Sequence, residues 1–418
     1  MTSAPSIAVT GLGIVSSLGR GASANWDALH DGRSGAASVT RFPTEGLATQ
    51  FAATVDDIVD PTLRPTERTT ALAILAMDEA LEQAGHDTTD PFPGKLVVGI
   101  PPIQMEWSDR IALDRLVPEG AGDYADLIRV ARDPGQRALR DTVRFDGTTR
   151  ALAERLRPSG RPVTITTACS SGATAIQMGV EAIRRGEVDR ALVLGADASV
   201  SPEMLLRFGL LAALSRRNDS PETASRPFDK TRDGFVPGEG AGALVLERAE
   251  VAHARGARVL GYVRGIGERL DAYHRIRQRP DAGPVGVAMG AAILDAGLAP
   301  EDISYVNAHG TATGENDRVE CLGIRNVFGE SAENLPVSSL KSMTGHTLSA
   351  AAAIEAAASL LMLAEQTLLP TINYTTPDPD ILLDVVPNAA RAAPVTHILS
   401  NSFGFGGQNV CLVLSAEP

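Results

Sequence analysis

Hydrophobic and polar positions along the chain follow two alternating patterns, which predict strands and helices in turn. Apolar or β-branched runs predict strands at 7–15, 95–100, 163–165, 188–195, 242–247, 303–307, 336–340, 398–401 and 410–414. Apolar positions at helical spacing predict a helix over 67–84 and further helices after 172 and after 347. The segment 104–157 is mainly polar and shows the weakest pattern. Strands that alternate with helices, with no clear linker between them, indicate an α/β fold.

Two of the predicted helices carry almost no charge and are rich in small side chains. One follows Cys169, and the other begins near Leu348 and continues to about Leu361. A helix that is apolar on all sides is expected to be buried, and small side chains let two helix backbones approach closely. Each helix follows a strand and a turn that carries a reactive side chain. This parallel suggests two related halves, with the two helices paired at the centre.

Cys169 is the first candidate for chemistry, because it lies between a predicted strand and one of these buried helices. The pattern predicts the thiol in the first turn of the helix, where free N–H groups and the helix dipole favour thiolate. A nucleophilic cysteine needs such a position. A cysteine is also commonly a small buried apolar residue, and the local sequence leaves both interpretations open.

The histidines and a glycine-rich loop supply further candidates. His309 and His346 lie in glycine-flanked turns at strand ends, where α/β proteins place ligands. The loop 402–409 is either a tight turn between strands or a gate whose backbone N–H groups face a site. Four other histidines are expected to be ordinary surface or core residues, and His274 is intermediate; the four are His30, His86, His253 and His397.

Composition narrows the function classes. The chain has 418 residues and a net charge of −13, which disfavours nucleic acid as a partner. Its three cysteines are too few and too dispersed for a disulfide framework or a zinc knuckle, and a reducing cytoplasm fits. We predict no signal peptide and no membrane span. Gly11-Leu12-Gly13, at the glycine turn of the first predicted strand, lacks the third glycine of a dinucleotide loop.

Taken together, the motifs resemble those of β-ketoacyl-acyl-carrier-protein synthases of the elongating, Cys-His-His type. The matching segments cover most of the chain in the family's order: Val9-Thr10-Gly11-Leu12-Gly13, Thr167-Ala168-Cys169-Ser170-Ser171-Gly172, 213–215, 225–229, 232–236, 238–240, Asn307-Ala308-His309-Gly310-Thr311, Lys341, Gly345-His346 and 401–407. The resemblance implies the thiolase fold, with two similar βαβαβαββ halves in a five-layered αβαβα arrangement. The corresponding domains are expected at 1–250 and 251–418.

The resemblance also implies roles for individual residues. Cys169 would accept an acyl group from a carrier-protein phosphopantetheine thioester. His309 and His346 would hydrogen-bond the malonyl thioester oxygen while CO2 leaves, and Lys341, one of only three lysines, would organise the histidines. Asp317 and Glu320 would form an acidic network that supports the site; the alternative is plain negative charge at a helix N-terminus. The backbone N–H groups of Cys169 and Phe405 would form the oxyanion hole, and the rings of Phe405 and Phe208 would gate the acyl pocket.

Partners follow from the same resemblance. It implies an acyl carrier protein, no metal, and no resident cofactor, because phosphopantetheine arrives on the carrier. Family members are usually dimers, and either a homodimer or a heterodimer with a ketosynthase-like partner fits. The candidate contacts to the carrier or its pantetheine are Arg216, Arg217, Arg275, Arg277, Thr311 and Thr313. For the arginines, solvated surface charge is the alternative.

Several positions depart from the family pattern, and they fall outside the catalytic residues. Relatives usually have two glycines where this chain has Pro101-Pro102, and a threonine where it has Ile276. The segment 314–316 departs too, and 103–162 matches the family poorly. Because catalytic residues are kept while pocket and docking residues differ, we expect a specialised synthase, such as one from a polyketide pathway.

Four rival functions can be weighed against the same residues. A coenzyme A thiolase would need a second cysteine in 402–409, and a priming synthase would have asparagine in place of His346. A non-condensing partner that shapes chain length in a heterodimer usually lacks the cysteine, but the altered pocket keeps this alternative open. A simple hydrolase or decarboxylase could use the same residues and would be distinguished by its products.

Overall fold

A computed structural model describes residues 5–102, 105–117 and 124–418 of the chain. Its strands are β1 (Ile7–Ser16), β2 (Gly19–Arg20), β3 (Ala37–Ser38), β4 (Phe51–Ala52), β5 (Lys95–Gly99), β6 (Val163–Ile165), β7 (Arg190–Asp197), β8 (Gly240–Arg248), β9 (Gly261–Leu270), β10 (Tyr305–Asn307), β11 (Val337–Ser338), β12 (Thr367–Leu368), β13 (Arg391–Ala392), β14 (His397–Phe403) and β15 (Gln408–Ser415). Each predicted strand corresponds to one of these, with ends that shift by a few residues.

The helices alternate with the strands, as the pattern predicted. They are α1 (Ala22–His30), α2 (Pro65–Gln83), α3 (Trp107–Asp114), α4 (Tyr124–Arg132), α5 (Arg137–Thr142), α6 (Gly147–Leu156), α7 (Ser171–Arg184), α8 (Pro202–Leu210), α9 (Ala249–Ala254), α10 (Gly283–Asp295), α11 (Gly314–Phe328), α12 (Lys341–Thr344) and α13 (Ala351–Glu365). The polar segment 104–157 contains α3 to α6. Parts of it, residues 103–104 and 118–123, lie outside the described residues.

Strand order shows that the chain is built from two similar halves. Hydrogen-bonded neighbours follow the order β11-β10-β14-β15-β9-β1-β8-β7-β5-β6. The set β1, β5, β6, β7, β8 and the set β9, β10, β11, β14, β15 have the same spatial order, 3-2-4-5-1, when each is numbered along the chain. The first strands of the two sets pair antiparallel, with Ile7 opposite Val263. The predicted duplication is confirmed.

Helices between and outside the two strand sets complete five layers. Helix α2 packs on β1, β7 and β8, while α10 packs on β9 and β15 and contacts α11. Helices α7 and α13 contact each other and strands of both sets, so they form the middle layer. A Cβ added at Gly172 of α7 would lie 2.8 Å from the backbone nitrogen of Ala353 in α13. The predicted close pairing of two small-residue helices is therefore confirmed.

The apolar middle layer also explains a feature that could be mistaken for a membrane segment. In the part of the chain that the structure describes, Leu348–Glu365 alone is long and apolar enough to cross a membrane. Because 78% of that segment is buried inside the protein, it serves as a core helix.

Glycines in β1 serve the contact between the first strand set and α2. A Cβ added at Gly11 would lie 2.0 Å from the carbonyl oxygen of Ala80, and one at Gly13 would lie 2.1 Å from that of Ala76. No side chain fits at these distances. Helix packing therefore accounts for the glycine pair without a bound nucleotide.

Candidate active site

Cys169 lies in a sharp turn between β6 and α7. Ala168 has a φ of 51°, in the left-handed region that non-glycine residues rarely adopt. The hydroxyl of Ser171 accepts a hydrogen bond from Thr167 N at 2.9 Å and donates to Ala168 O at 2.6 Å, which closes the turn. Helix α7 begins at Ser171, so Cys169 precedes the helix by two residues. The predicted place in the first helical turn is wrong by this margin.

The second half of the chain brings two histidines to the thiol. His346 Nε2 lies 3.2 Å from Cys169 Sγ, and the His309 ring packs edge-on against the His346 ring with centroids 5.3 Å apart. The sulfur and one ring nitrogen from each histidine all lie within 4.8 Å of one another. Thiolate and imidazole are donors that zinc prefers, so these residues are the ones that could hold a metal. We still predict that the enzyme needs no metal.

Lys341 lies behind this cluster and forms a buried ion pair that the sequence interpretation missed. Its Nζ contacts Glu355 Oε1, and the two side chains are 1% and 4% exposed. Glu355 is on α13, in the middle layer. It is the one charged residue between Leu348 and Ala364. A lone carboxylate in an apolar helix was the available signal, because a buried charge needs a partner.

Burial sets the protonation of the cluster. It raises the pKa of Cys169 to about 11, although the charge of Lys341 and the backbone N–H of Phe405 act in the opposite direction. Burial therefore outweighs the expected bias toward thiolate. Burial, reinforced by Lys341, holds the pKa of His309 and of His346 well below 6.5. At neutral pH the site holds a thiol and two neutral imidazoles.

Two acidic side chains of α11 hold the loop that carries His309. Glu320 accepts hydrogen bonds from the backbone nitrogens of His309 and Gly310, both at 2.8 Å, and from Asn401 Nδ2 at 3.0 Å. Asp317 accepts from Phe228 N at 2.8 Å. Both carboxylates are fully buried, and burial raises the pKa of each. Both carboxylates accept hydrogen bonds from backbone groups around the site. Charges that served only to stabilise a helix N-terminus would not make these bonds.

Cys169 lies where two cavities meet. One, of about 280 Å³, is lined by both histidines, by Thr311 and Thr313 and by the segment around Ile276. The other, of about 300 Å³, is lined by Pro101, Pro102 and side chains of α8. The residues common to both are Cys169, Phe208, Leu348 and Phe405. The rings of Phe208 and Phe405 have centroids 6.2 Å apart, so this aromatic pair stands at the junction.

The loop 402–409 turns out to be both a tight turn and a part of the site. It joins β14 to β15 as a hairpin, with Gly404 N donating to Gln408 O at 2.7 Å. Phe405 at its tip is 38% exposed, and its backbone N–H acts to lower the pKa of Cys169.

Comparison with known protein families fits this arrangement. Residues 4–100 and 142–252 match the family "Beta-ketoacyl synthase, N-terminal domain", and residues 260–375 match "Beta-ketoacyl synthase, C-terminal domain". The chain belongs to the beta-ketoacyl synthase family. The expected family, and with it a condensing acyltransferase of the thiolase fold, is confirmed.

Relatives within the beta-ketoacyl synthase family cover the whole chain. "Putative polyketide beta-ketoacyl synthase 1" of Streptomyces cyaneus is 37% identical over 98% of this chain and 97% of its own length. "3-oxoacyl-[acyl-carrier-protein] synthase 2" of Coxiella burnetii is 38% identical over 98% of both chains. A solved type II PKS acyl-carrier protein in complex with its ketosynthase bound to the hexaketide gives a TM-score of 0.87 at 32% identity, covering 99% of this chain and 100% of that one.

The other predicted site residues are the carrier-contact arginines and the remaining histidines. Some of them line the cavities and others do not. Arg277 and His274 line the first cavity. The carbonyl of Arg275 accepts a hydrogen bond from Gly406 N at 2.8 Å, while its side chain and that of Arg216 are exposed. Arg217 lies 3.5 Å from Asp233. The other histidines lie outside both cavities; they are His30, His86, His253 and His397.

Proposed function

We propose that this chain is a β-ketoacyl-acyl-carrier-protein synthase that loads an acyl group on Cys169 and condenses it with malonyl-carrier protein. The observation that carries the proposal is the contact of His346 Nε2 with the Cys169 sulfur, 3.2 Å, at the junction of two cavities. Two cavities that meet at one thiol suit a reaction in which two substrates meet at one covalent intermediate.

Acyl transfer is the first step. The neutral His346 ring accepts the thiol proton as the sulfur attacks the thioester carbonyl, because the buried thiol is not ionised at neutral pH. The backbone N–H groups of Cys169 and Phe405 donate to the oxyanion that forms. The carrier's thiol then leaves with the proton, and the acyl group remains on Cys169.

Condensation is the second step. As the malonyl C–C bond breaks and CO2 leaves, negative charge develops on the thioester oxygen of the donor. His309 and His346 donate N–H groups to that oxygen as neutral imidazoles, with His346 in the tautomer that carries its proton on Nε2. The carbanion attacks the acyl carbonyl and the Cys169 sulfur leaves as thiolate. The thiolate takes up one proton from solvent, and a β-ketoacyl thioester two carbons longer departs. Lys341 and Glu320 are positioning residues for the two histidines.

The two cavities take the two parts of the substrate. The phosphopantetheine arm of the carrier enters through the first cavity, where Thr311 and Thr313 line the wall and Arg277 lies nearby. The acyl chain occupies the second cavity beyond Phe208 and Phe405, which gate it. The docking surface for the acidic carrier includes Arg216, Arg217 and Arg275 around the entrance, although the chain as a whole is acidic.

A dimer completes the proposed enzyme. Strand β6 ends the sheet, so one of its edges offers unpaired backbone groups. Helices α3 and α8 expose the apolar side chains Trp107, Ile111, Leu206 and Leu210, which a second ketosynthase-type chain would cover. The two strand sets fit our proposal of two halves at 1–250 and 251–418. We also place the enzyme in the cytoplasm, where its three buried thiols stay reduced.

We propose that the synthase acts in a specialised biosynthetic pathway. Pro101-Pro102 lines the second cavity and Ile276 lines the first, so two departures from the family pattern face the substrates. Similarity to a polyketide synthase from Streptomyces cyaneus agrees with a polyketide pathway, and similarity to a 3-oxoacyl synthase keeps a fatty-acid pathway as the second candidate. Profiling the acyl chains that load best distinguishes them: ordinary saturated medium and long chains indicate fatty-acid synthesis.

Product analysis tests the proposed reaction. Acyl-carrier protein and isotopically labelled malonyl-carrier protein should yield a β-ketoacyl-carrier protein and labelled CO2. Cys169→Ala should abolish the condensation product. A Cys169→Ala variant that condensed at the wild-type rate in the assembled complex would instead identify the chain as a non-condensing partner. Release of free acid or acetyl-carrier protein alone would indicate a hydrolase or decarboxylase.

A further inference from the structure

The second cavity changes character along its wall. Around the sulfur, Met204, Phe208 and Leu348 pack with Cys169 into one apolar cluster. Elsewhere the same cavity is lined by charged side chains, Glu106 at the start of α3 and Glu203 and Arg207 on α8. A cavity that held only saturated chains would have no use for charge in its wall, because an alkyl group cannot replace the water that a charged group loses.

Glu106 is the carboxylate in this wall that has no partner among the described residues. Its carboxylate makes no hydrogen bond and no ion pair with any described residue, although the residue is partly buried. Neighbouring groups are already occupied: Arg68 bonds Glu239, Asp109 lies 3.6 Å from Arg64, and Glu203 accepts a hydrogen bond from Trp107 N at 2.8 Å.

The charges around Glu106 favour a donor as its ligand. Glu203 and Asp109 act with burial to raise the pKa of Glu106, and Arg68 and Arg207 act against them with smaller effect. Arg207 forms no ion pair among the described residues, and it lies in the same wall. A group that enters this part of the cavity therefore meets an acceptor that lacks a donor.

We propose that Glu106 is a specificity-determining residue, which selects acyl chains that carry a hydrogen-bond donor, a hydroxyl or a protonated amine, away from the thioester. The inference rests on the proposed acylation of Cys169. A chain with such a donor fills the apolar part of the cavity with methylene groups and hydrogen-bonds the Glu106 carboxylate. A saturated chain of equal length buries that carboxylate unpaired.

Competition between matched substrates tests this proposal. Hexanoyl-, octanoyl- and decanoyl-carrier proteins compete with their ω-hydroxy and ω-amino counterparts, and intact-protein mass spectrometry quantifies each acyl-Cys169. At the best-fitting length, the wild-type protein should load a donor-bearing chain on the order of ten-fold faster than its saturated match. The two donor classes separate by which of the ω-hydroxy and ω-amino chains loads faster.

Variants identify the residue responsible. Glu106→Leu should reverse the preference, and Glu106→Gln, which keeps an acceptor but no charge, should reduce the preference for the amine more than that for the hydroxyl. Glu330→Leu, an exposed residue outside both cavities, is the matched control and should behave like wild type.

Three results would overturn the inference. One is equal or faster loading of the saturated chains by wild type; another is an unchanged preference in Glu106→Leu. A third is a shift in dimer dissociation, measured by sedimentation, with no change in preference, which would mean that Glu106 pairs with a second chain. If no chain of any kind forms an acyl-Cys169, the proposed function falls as well, so the two failures are distinguishable.

Discussion

His346 Nε2 lies 3.2 Å from the Cys169 sulfur, and the two residues come from opposite halves of the chain, 177 positions apart. Both side chains are buried, and Lys341 lies behind them with its charge paired to Glu355. In the proposed reaction the nucleophile is thus a buried thiol that depends on a neighbouring neutral base. An exposed cysteine that is already ionised at neutral pH would behave differently. The pH dependence of thiol reactivity distinguishes the two cases.

The reactivity of Cys169 should rise with pH well beyond the range of an ordinary cysteine. Its pKa is raised to about 11 by burial, so the thiolate fraction should grow on the order of ten-fold per pH unit between about pH 7 and 10. Alkylation by iodoacetamide, followed by mass spectrometry, measures this dependence. Cys321 and Cys411, both buried outside the cavities, should stay unmodified in the folded protein. A plateau below about pH 8.5, the pKa of a free cysteine, would show that the thiolate is stabilised instead.

The Lys341–Glu355 pair should make stability depend on pH in a defined direction. Burial raises the pKa of Glu355 to about 7, above the usual value of 4.5. The folded protein then binds this proton more tightly than the unfolded chain, so stability falls as pH rises from about 4.5 to about 7. The lowered pKa values of His309 and His346 act in the opposite sense below 6.5, so the comparison needs a variant.

Glu355→Gln provides that variant, because it removes the titration and leaves both histidines in place. The difference in free energy of unfolding, Glu355→Gln minus wild type, should increase as pH rises from about 5 to 7.5, measured by urea denaturation. A difference that stays constant with pH would contradict the raised pKa. Glu330→Gln, at an exposed position, should show no such trend.

Glu320→Gln should separate the two steps of the reaction. A glutamine can accept a hydrogen bond with only one oxygen, so at least one of the buried N–H groups of His309 and Gly310 loses its acceptor. An unpaired buried donor costs about 1–3 kcal/mol of stability. Because the lost contact holds His309, condensation should slow on the order of ten-fold or more, corresponding to about 1.4 kcal/mol or more. Acylation of Cys169 should stay near wild type. Equal losses in both steps would show that the change spreads beyond His309.

Two glycine substitutions test whether the Gly11-Leu12-Gly13 segment serves packing. Gly11→Ala would place a Cβ 2.0 Å from Ala80 O, and we expect a loss of about 1–3 kcal/mol or more as strand and helix separate. Gly290→Ala is the control: it lies in helix α10 with nothing near an added Cβ, so it should be neutral or stabilise by about 0.5–1 kcal/mol. Thermal unfolding measures both. If Gly11→Ala were as stable as Gly290→Ala, packing could not explain the glycine.

Much of the architecture could be predicted from local pattern, because the strands are apolar runs and the two central helices lack charge. The pairing of α7 with α13 followed from small residues such as Gly172 and Ala353, whose size is legible in the sequence. The thiolase fold and the catalytic set came from the motifs around Cys169, His309 and His346, whose spacing along the chain says nothing of their proximity.

Three aspects of the site were not predicted, since they depend on tertiary contacts rather than on neighbours in sequence. The pKa of Cys169 is raised because tertiary packing removes water, and this outweighs the N–H groups and charge that act to lower it. Glu355 was missed because its partner, Lys341, lies on another element and the sequence shows only a lone carboxylate. The wall of the acyl cavity likewise joins α3 with α8, which are far apart in the chain.

The central claim is that an acyl group passes from a carrier protein to Cys169. Intact-protein and peptide mass spectrometry, after incubation with a panel of acyl-carrier proteins, tests it most directly. The account predicts a mass increase equal to the acyl group, located on the peptide that contains Cys169, and absent from Cys169→Ala. No mass increase with any acyl-carrier protein, from a folded protein whose Cys169 still reacts with iodoacetamide, would contradict it.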